Sequence, residues 1–472
     1  MQALGDSGAG AGTRPQSRNM KPVIQPVQQG CDLVELHRLY PASYPRLLQS
    51  TAHGRYDILF AFPGDSLVLD AAGSLQGGGD CQWTSADFLE GLDRWWREYR
   101  VATADSSGLP FSGGWFLYLG YELAAQVEPC LRLPAADAVL PVAMATRFMS
   151  AVIRDHRQNA TWIIAEPGQQ ELARQISADI AALPQQPPEA VSGNPVVTVT
   201  ESLPQLYIQA VARILDYIRE GDVFQVNLSR QWDVEFSRPV DPVRIYRQLC
   251  IHNPAPFSGL LELGDAAIIS SSPERLVSVR NGVVETRPIA GTRPRSRSAS
   301  VDRAFSTELL AHPKELAEHI MLIDLERNDL GRICVPGSIA VNELLALESY
   351  AHVHHIVSNI RGRLRTDVTP GQIIRAVFPG GTITGCPKVR CMEIIAELEQ
   401  AARGAYTGSM GYLNRDGSMD LNILIRTMVS HADRISLRAG AGIVADSVAD
   451  AELAEARAKA RGLLRALGLD GP

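Results

Sequence analysis

Three groups of residues in this 472-residue chain could carry chemistry. One is a glycine-rich turn, one is a set of acids at helical spacing, and one is a scatter of charges inside apolar runs. The turn opens the run Phe378 to Glu399, FPGGTITGCPKVRCMEIIAELE. Pro379-Gly380-Gly381 leads through Thr382, Thr384 and Gly385 to Cys386-Pro387-Lys388, and Val389, Met392, Ile395 and Leu398 mark a helix behind it. Glycines let backbone approach a ligand closely, and unpaired N–H groups at a helix start attract anions. A small carboxylate would suit such a cradle; an ordinary tight turn would explain the glycines equally well. A nucleotide P-loop does not fit, because its lysine directly follows the last glycine, and here Cys386 and Pro387 intervene before Lys388.

Glu315 and Glu318 stand three apart in a stretch that Pro313 opens as a helix to about Asp329, so they share a face. Glu452, Glu455 and Lys459 form a similar stripe on a final helix from about Ala449. Carboxylates from two helices could hold Mg²⁺, which takes a few carboxylates together with water and an anionic ligand. Two solvated helix faces are the plainer alternative. Glu274, in the turn Ser271-Ser272-Pro273-Glu274-Arg275, could move a proton or simply sit on the surface. His352, His354 and His355 form an H-x-H-H run; on a strand His355 points away from the other two, which disfavours a three-histidine metal site. One histidine in proton transfer is easier to defend, beside a purely structural role. Arg426 interrupts the apolar run at Leu424-Ile425 and needs an anion, either a substrate carboxylate or an internal acid. Tyr406 could donate its hydroxyl or pack.

The elements that must position these groups are legible in part. Leu206, Val211, Ile214, Leu215 and Ile218 predict an amphipathic helix ending at Gly221. In the next stretch Phe224, Val226 and Leu228 alternate with Gln225, Asn227 and Ser229, which predicts a strand with one polar face to about Phe236. Asn281-Gly282 between two short β-branched runs predicts a hairpin. Strand-like runs such as residues 57–62 and 162–164, with a helix near 86–99, fill the first third. The interleaving predicts a mixed α+β architecture. Residues 1–29 read as a flexible lead, 30–180 as an N-terminal region, 181–204 as a Pro, Gln and Ser-rich linker crossing the surface, and 205–466 as the catalytic region.

Composition narrows the class. A net charge of −7 with mixed signs argues against nucleic acid as a partner, and no apolar stretch reaches membrane-spanning length or forms a signal-peptide core. Seven cysteines, odd in number and never in a C-x-x-C pair, argue against zinc or a disulfide framework and predict a reducing, cytoplasmic setting.

Several patches resemble one family when taken in order: FQVNLSR, SSSPERLVSV, TRPIAGTRPR, STELLAHPKELAEHIMLIDLERNDLGRI, HVHHIVS, the cradle run, and AGAGIVADS before the last helix. Together they are similar to the chorismate-utilising enzymes, strongly over about residues 200–465 and more weakly over 30–165. That resemblance implies two β-sheets packed face to face with helices outside, the fold of anthranilate synthase component I, and a pocket shared by chorismate and Mg²⁺. It implies that Glu318, Glu455 and Glu452 hold the metal with Glu315 nearby, and that Mg²⁺ neutralises the ring carboxylate. It implies Glu274 as the general acid for departure of the C4 hydroxyl, and His355 as the active-site histidine. Tyr406, Arg426 and the backbone at Gly442 would hold the enolpyruvyl carboxylate, while Lys459, Thr382, Thr384 and Gly385 would position the substrate carboxylates.

Gln225 separates branches of the family. Members that add water carry a lysine there to activate it, and an amide cannot act as that base. The resemblance therefore points to the ammonia-using members. No glutaminase signature is present, which implies a separate glutamine amidotransferase subunit. The runs GGTITG and CMEIIAELE look more like the aminodeoxychorismate synthases of folate biosynthesis, which aminate C4, than the anthranilate synthases, which aminate C2 and eliminate pyruvate. Ala290 is a departure, since many of the former carry a nucleophilic lysine at that place and the anthranilate synthases carry alanine, so the resemblance keeps anthranilate synthase component I as the alternative. A catalytically silent subunit that binds chorismate or tryptophan is the alternative from another class, against which the near-complete set of acids argues; some members hold tryptophan in the N-terminal region, where Arg46-Leu47-Leu48-Gln49-Ser50 lies.

Overall fold

A computed structural model describes residues 21–469 apart from positions 29, 53, 78–86, 103–106, 185–193, 297 and 350–352. Most of the predicted lead, the start of the helix near residue 86, part of the linker and His352 therefore lie outside the described residues.

Every strand pairing is antiparallel, and one path of ladders runs through both layers. The strand Gln225–Phe236 lies between Val196–Glu201 and Arg434–Ile443. The path continues through Thr427–His431, Ala266–Ser272, Phe257–Leu263 and Arg46–Gln49 to Tyr56–Leu69. Tyr56–Leu69 pairs with Ala143–Asp155 along its length, with an irregularity between Pro63 and Ser66. Beyond that bulge Ala143–Asp155 passes the path to Gly114–Leu119, and so to Ser409–Asn414, Met419–Asn422, Arg275–Arg280, Val283–Thr286 and Val353–Arg363. A bulge bends a strand and increases its twist. The face-to-face sheets are thus one hydrogen-bonded network folded over two long strands. Phe60 meets Phe111, Phe116 and Phe148 at ring distances of 4.9–5.4 Å in the apolar filling between the layers.

Two boundaries differ from the sequence reading. Val23–Val27, inside the predicted lead, pairs with Ala160–Ala165. Val196–Glu201, inside the predicted linker, is an edge strand on Gln225–Phe236. In both, short β-branched runs outweigh the Pro and Gln around them. The N-terminal region is joined to the rest as one unit: Arg46–Gln49 and Gly114–Leu119 pair with strands from the second half of the chain.

Elsewhere local signals and structure agree. The helix Pro204–Glu220 ends at Gly221 with φ 83°, and Asn281 and Gly282, at φ 53° and 72°, make the two-residue turn between Arg280 and Val283. Helices Pro313–Gly331, Lys388–Glu399 and Ala449–Ala466 pack against the strands Val353–Arg363, Gln225–Phe236 and Arg434–Ile443 respectively. Among the described residues no helix is long and apolar enough to cross a membrane.

Candidate active site

The cradle and Glu274 meet directly. The turn forms a short 3₁₀ segment, Gly381–Ile383, and Thr382 Oγ1 donates to Glu274 Oε1 at 2.7 Å. Gly385 and Cys386 then pair with Val226 and Gln225. At Gly385, φ is 130° and a Cβ would fall 2.1 Å from the Gln225 carbonyl oxygen, so only glycine allows the turn to dock on the strand. Thr384 is fully buried, and its hydroxyl donates to the Gly380 and Gly381 carbonyls at 2.9 and 3.3 Å. It holds the turn's shape from behind.

Glu274 is 5% exposed. Burial raises its carboxyl to about 7, against partial relief from the Thr382 hydroxyl, the Ile289 backbone and the Lys459 and Arg426 charges. A carboxyl in that range is protonated in part at neutral pH and suits a general acid. His355 lies on Val353–Arg363 with Nδ1 3.3 Å from the Gly291 carbonyl oxygen, and burial lowers it to about 4, so its ring is neutral at pH 7. His354 faces the other way, with Nδ1 2.7 Å from Ser349 Oγ and Nε2 3.1 Å from Asp302 Oδ1. The described histidines are therefore not a shared metal site.

Across the cradle, Gln225 is buried and its Nε2 donates to Glu318 Oε1 at 2.8 Å. Gly442 completes this corner: a Cβ there would lie 2.3 Å from Gln225 Nε2 and 3.4 Å from Glu318 Oε1. On the last helix Glu452 is buried, and Lys459 Nζ reaches Glu455 Oε1 at 2.7 Å and the Gly440 carbonyl at 3.0 Å. Glu315 is paired with Arg293 at 3.0 Å. Arg426 takes φ 53° at the start of Thr427–His431. Burial lowers its guanidinium from the usual value, against the opposing pull of Tyr406, Glu455 and Glu274. Glu274, His355, Tyr406, Arg426, Glu455 and Lys459 are thus within electrostatic reach of one another from five separate segments. Among the described residues no three His, Cys, Asp or Glu side chains form a compact metal cluster.

Two features escaped the sequence reading. The first is a buried ion cluster behind Tyr406. Arg403 donates to Glu399 at 2.6 and 3.0 Å, to the Ile383 carbonyl at 3.1 Å and to the Asn227 carbonyl at 2.7 Å. Arg438 reaches Glu399 Oε2 at 2.8 Å, and the Arg403 guanidinium lies 5.6 Å from the Tyr406 ring. The cluster ties cradle, central strand and Tyr406 together. Glu399 and Arg403 are spaced i, i+4, which on sequence alone reads as a surface pair. The second is Glu326, buried under the cradle: a Cβ on Gly381 would lie 3.4 Å from its Oε1. Burial and the neighbouring Asp329 push its carboxyl upward. Asp329 in turn accepts from Lys388 Nζ at 2.5 Å, so the lysine after the cradle is a structural partner.

Residues 46–465 match the family described as chorismate binding enzyme. The chain belongs to that family. It is 39% identical over 436 residues to aminodeoxychorismate synthase component 1 of Bacillus subtilis, covering 90% of this chain and 91% of the relative. It is 43% identical over 365 residues to an anthranilate synthase component I-like protein of Synechocystis, covering 76% and 73%. The structure of anthranilate synthase component I from Streptococcus pneumoniae superposes with a TM-score of 0.77 at 33% identity, over 87% of this chain and 92% of that one. The fold is the one that the sequence patches imply, and the protein is an enzyme acting on chorismate.

Proposed function

We propose that this enzyme aminates chorismate at C4 with ammonia, giving 4-amino-4-deoxychorismate and water. The observation that carries the ammonia reading is Gln225. It is buried against Glu318, it has no basic nitrogen, and so it cannot activate water. Ammonia needs no such base, because its lone pair is already nucleophilic. The C–N bond forms as the C4–O bond breaks. Glu274 gives its proton to the departing hydroxyl, which leaves as water, and the new ammonium group returns a proton to Glu274. The aminodeoxychorismate synthase relative aligns over more of the chain than the anthranilate synthase-like relative does, which supports C4. With Ala290 in the strand Ile289–Pro294, no lysine at that place takes part in a covalent step.

Arg426 and Tyr406 would hold one carboxylate, and Lys459 with the Thr382 turn the other. Glu318, Glu452 and Glu455 would hold Mg²⁺. Their hard carboxylate oxygens suit it, with Glu318 Oε1 held at the Gly442 corner by Gln225 Nε2. When bound, Mg²⁺ would offset carboxylate charge. Ammonia would come from a separate glutamine amidotransferase subunit. A cavity of about 380 Å³ is lined by Leu48, Gln49, Ser50, Phe257 and Met410 and is where tryptophan would bind.

The deciding assay supplies chorismate, Mg²⁺ and ammonium, followed by aminodeoxychorismate lyase. 4-Aminobenzoate is the expected product; anthranilate and pyruvate formed without the lyase would refute C4 amination, and no turnover would mean a silent binding subunit. Glu318→Ala should abolish turnover, and near-normal rates in that variant would overturn the metal assignment.

A further inference from the structure

Two buried oxygens on the strand Gln225–Phe236 have no hydrogen-bond donor: Gln225 Oε1 and Asn227 Oδ1. Buried acceptors are nearly always paired, so two such oxygens two residues apart ask for a ligand that donates. Residues i and i+2 of a strand share a face. The cross-strand partner of Asn227 is Gly442, whose missing side chain would project on that same face. The Gln225 amide occupies that space, with Nε2 2.3 Å from where a Gly442 Cβ would be. Its amide nitrogen therefore sits over Gly442, on the face that Asn227 shares.

The orientation of the Gln225 amide is set chemically. Glu318 Oε1 receives the Gln225 Nε2 donor at 2.8 Å, and an ionised carboxylate accepts only. The nitrogen must face Glu318 and the oxygen must face away. The next residue on the same face, Ser229, differs: its hydroxyl is spent on Glu399 Oε1 at 2.8 Å. The unpaired acceptors are thus confined to two adjacent positions, at the corner where Glu318 and Gly442 meet the cradle.

We infer that Gln225 Oε1 and Asn227 Oδ1 together hold the incoming ammonia. Ammonia has three N–H donors and one lone pair. Two donors directed at the two oxygens leave the lone pair free to face the substrate. Water could donate twice in the same place, but neither amide would deprotonate it, so it would be held without being activated. Asn227 is the new element: a nitrogen-positioning residue that acts beside Gln225. The inference rests on the reading that this enzyme uses ammonia.

The test uses the full chain with ammonium chloride as nitrogen source, varying ammonium and chorismate separately. Asn227→Leu keeps the volume and removes the acceptor. Its KM for ammonium should rise about tenfold, the size of one lost hydrogen bond, while KM for chorismate stays within about twofold. Asn227→Asp keeps an oxygen and should bind ammonium at least as well as the parent. An unchanged ammonium KM in Asn227→Leu overturns the inference. So does a parallel rise in both KM values, or an ammonium KM raised equally by Asn227→Asp, since these are the marks of a structural role. If the parent chain consumes no chorismate with ammonium, the ammonia reading itself fails and this role falls with it. Product identity is measured separately: anthranilate would overturn C4 amination and leave the ammonium comparison intact.

Discussion

Glu274 and Glu399 are both buried carboxyls within one residue's reach of the same cradle, yet they titrate in opposite directions. Glu274 has a hydroxyl as its nearest partner. Burial dominates there, and its carboxyl is raised to about 7. Burial also pushes Glu399 upward, but the charges and hydrogen bonds of Arg403 and Arg438 more than offset it and hold the carboxyl below the usual range. The contrast teaches that burial alone does not decide the state of an acid; the sign of the neighbours does. One carboxyl keeps a proton to give away, and the other is a fixed anion that welds backbone segments together. Their effects on stability with pH also oppose. The contribution of Glu399 is present above the ordinary carboxylate range and is lost on acidification. Glu274 favours the fold below that range, and its contribution is lost as pH rises through about 7.

The comparison can be broken at three points. The largest effect on the fold is expected from Glu399→Ala, which strands Arg403 and Arg438 without their anion. Breaking a buried pair in this way costs about 3–5 kcal/mol, readable by denaturant unfolding. A loss below about 1 kcal/mol would show that the cluster is not the weld described. Glu274→Gln should do the reverse: kcat falls about 10²–10⁴-fold while the unfolding midpoint holds or rises. Comparable loss of stability in that variant would place Glu274 with the structural acids. The smallest effect belongs to Thr382→Val. Because the threonine hydroxyl favours the ionised form, its removal should raise the Glu274 carboxyl further. The fall of kcat/KM above about pH 7 should then move upward by about one pH unit. An unmoved or downward-shifted limb would separate that limb from Glu274.

Much of this arrangement was legible from local pattern. The alternation at Phe224 to Ser229 placed Gln225 on a polar face, and the spacing of Glu315 and Glu318, and of Glu452, Glu455 and Lys459, placed acids on helices that pack on Val353–Arg363 and on Arg434–Ile443, the latter the neighbour of the Gln225 strand. The ordered patches named the family. What stayed hidden depended on long-range burial. Glu399 and Arg403 look like a solvated helix pair until the strand carrying Arg438 and the cradle close over them. Glu326 looks like a surface acid until Gly381 lies against it. Thr384 lies in the cradle run, but only the folded turn shows its hydroxyl bonded to the turn's own carbonyls. Val196–Glu201 was masked by neighbouring Pro and Gln, because an edge strand with exposed side chains leaves little periodic signal.

The folded-over strand network also has a consequence in time. Arg46–Gln49 pairs with Phe257–Leu263, and Gly114–Leu119 with Ser409–Asn414. During synthesis the first-made strands must wait for partners that leave the ribosome hundreds of residues later. Such non-local pairing slows folding and leaves apolar strands open to the wrong neighbours in the interval. An isolated fragment of residues 205–472 should accordingly fail to fold alone, and the N-terminal third should need either the rest of the chain or a holding chaperone until the last strands arrive.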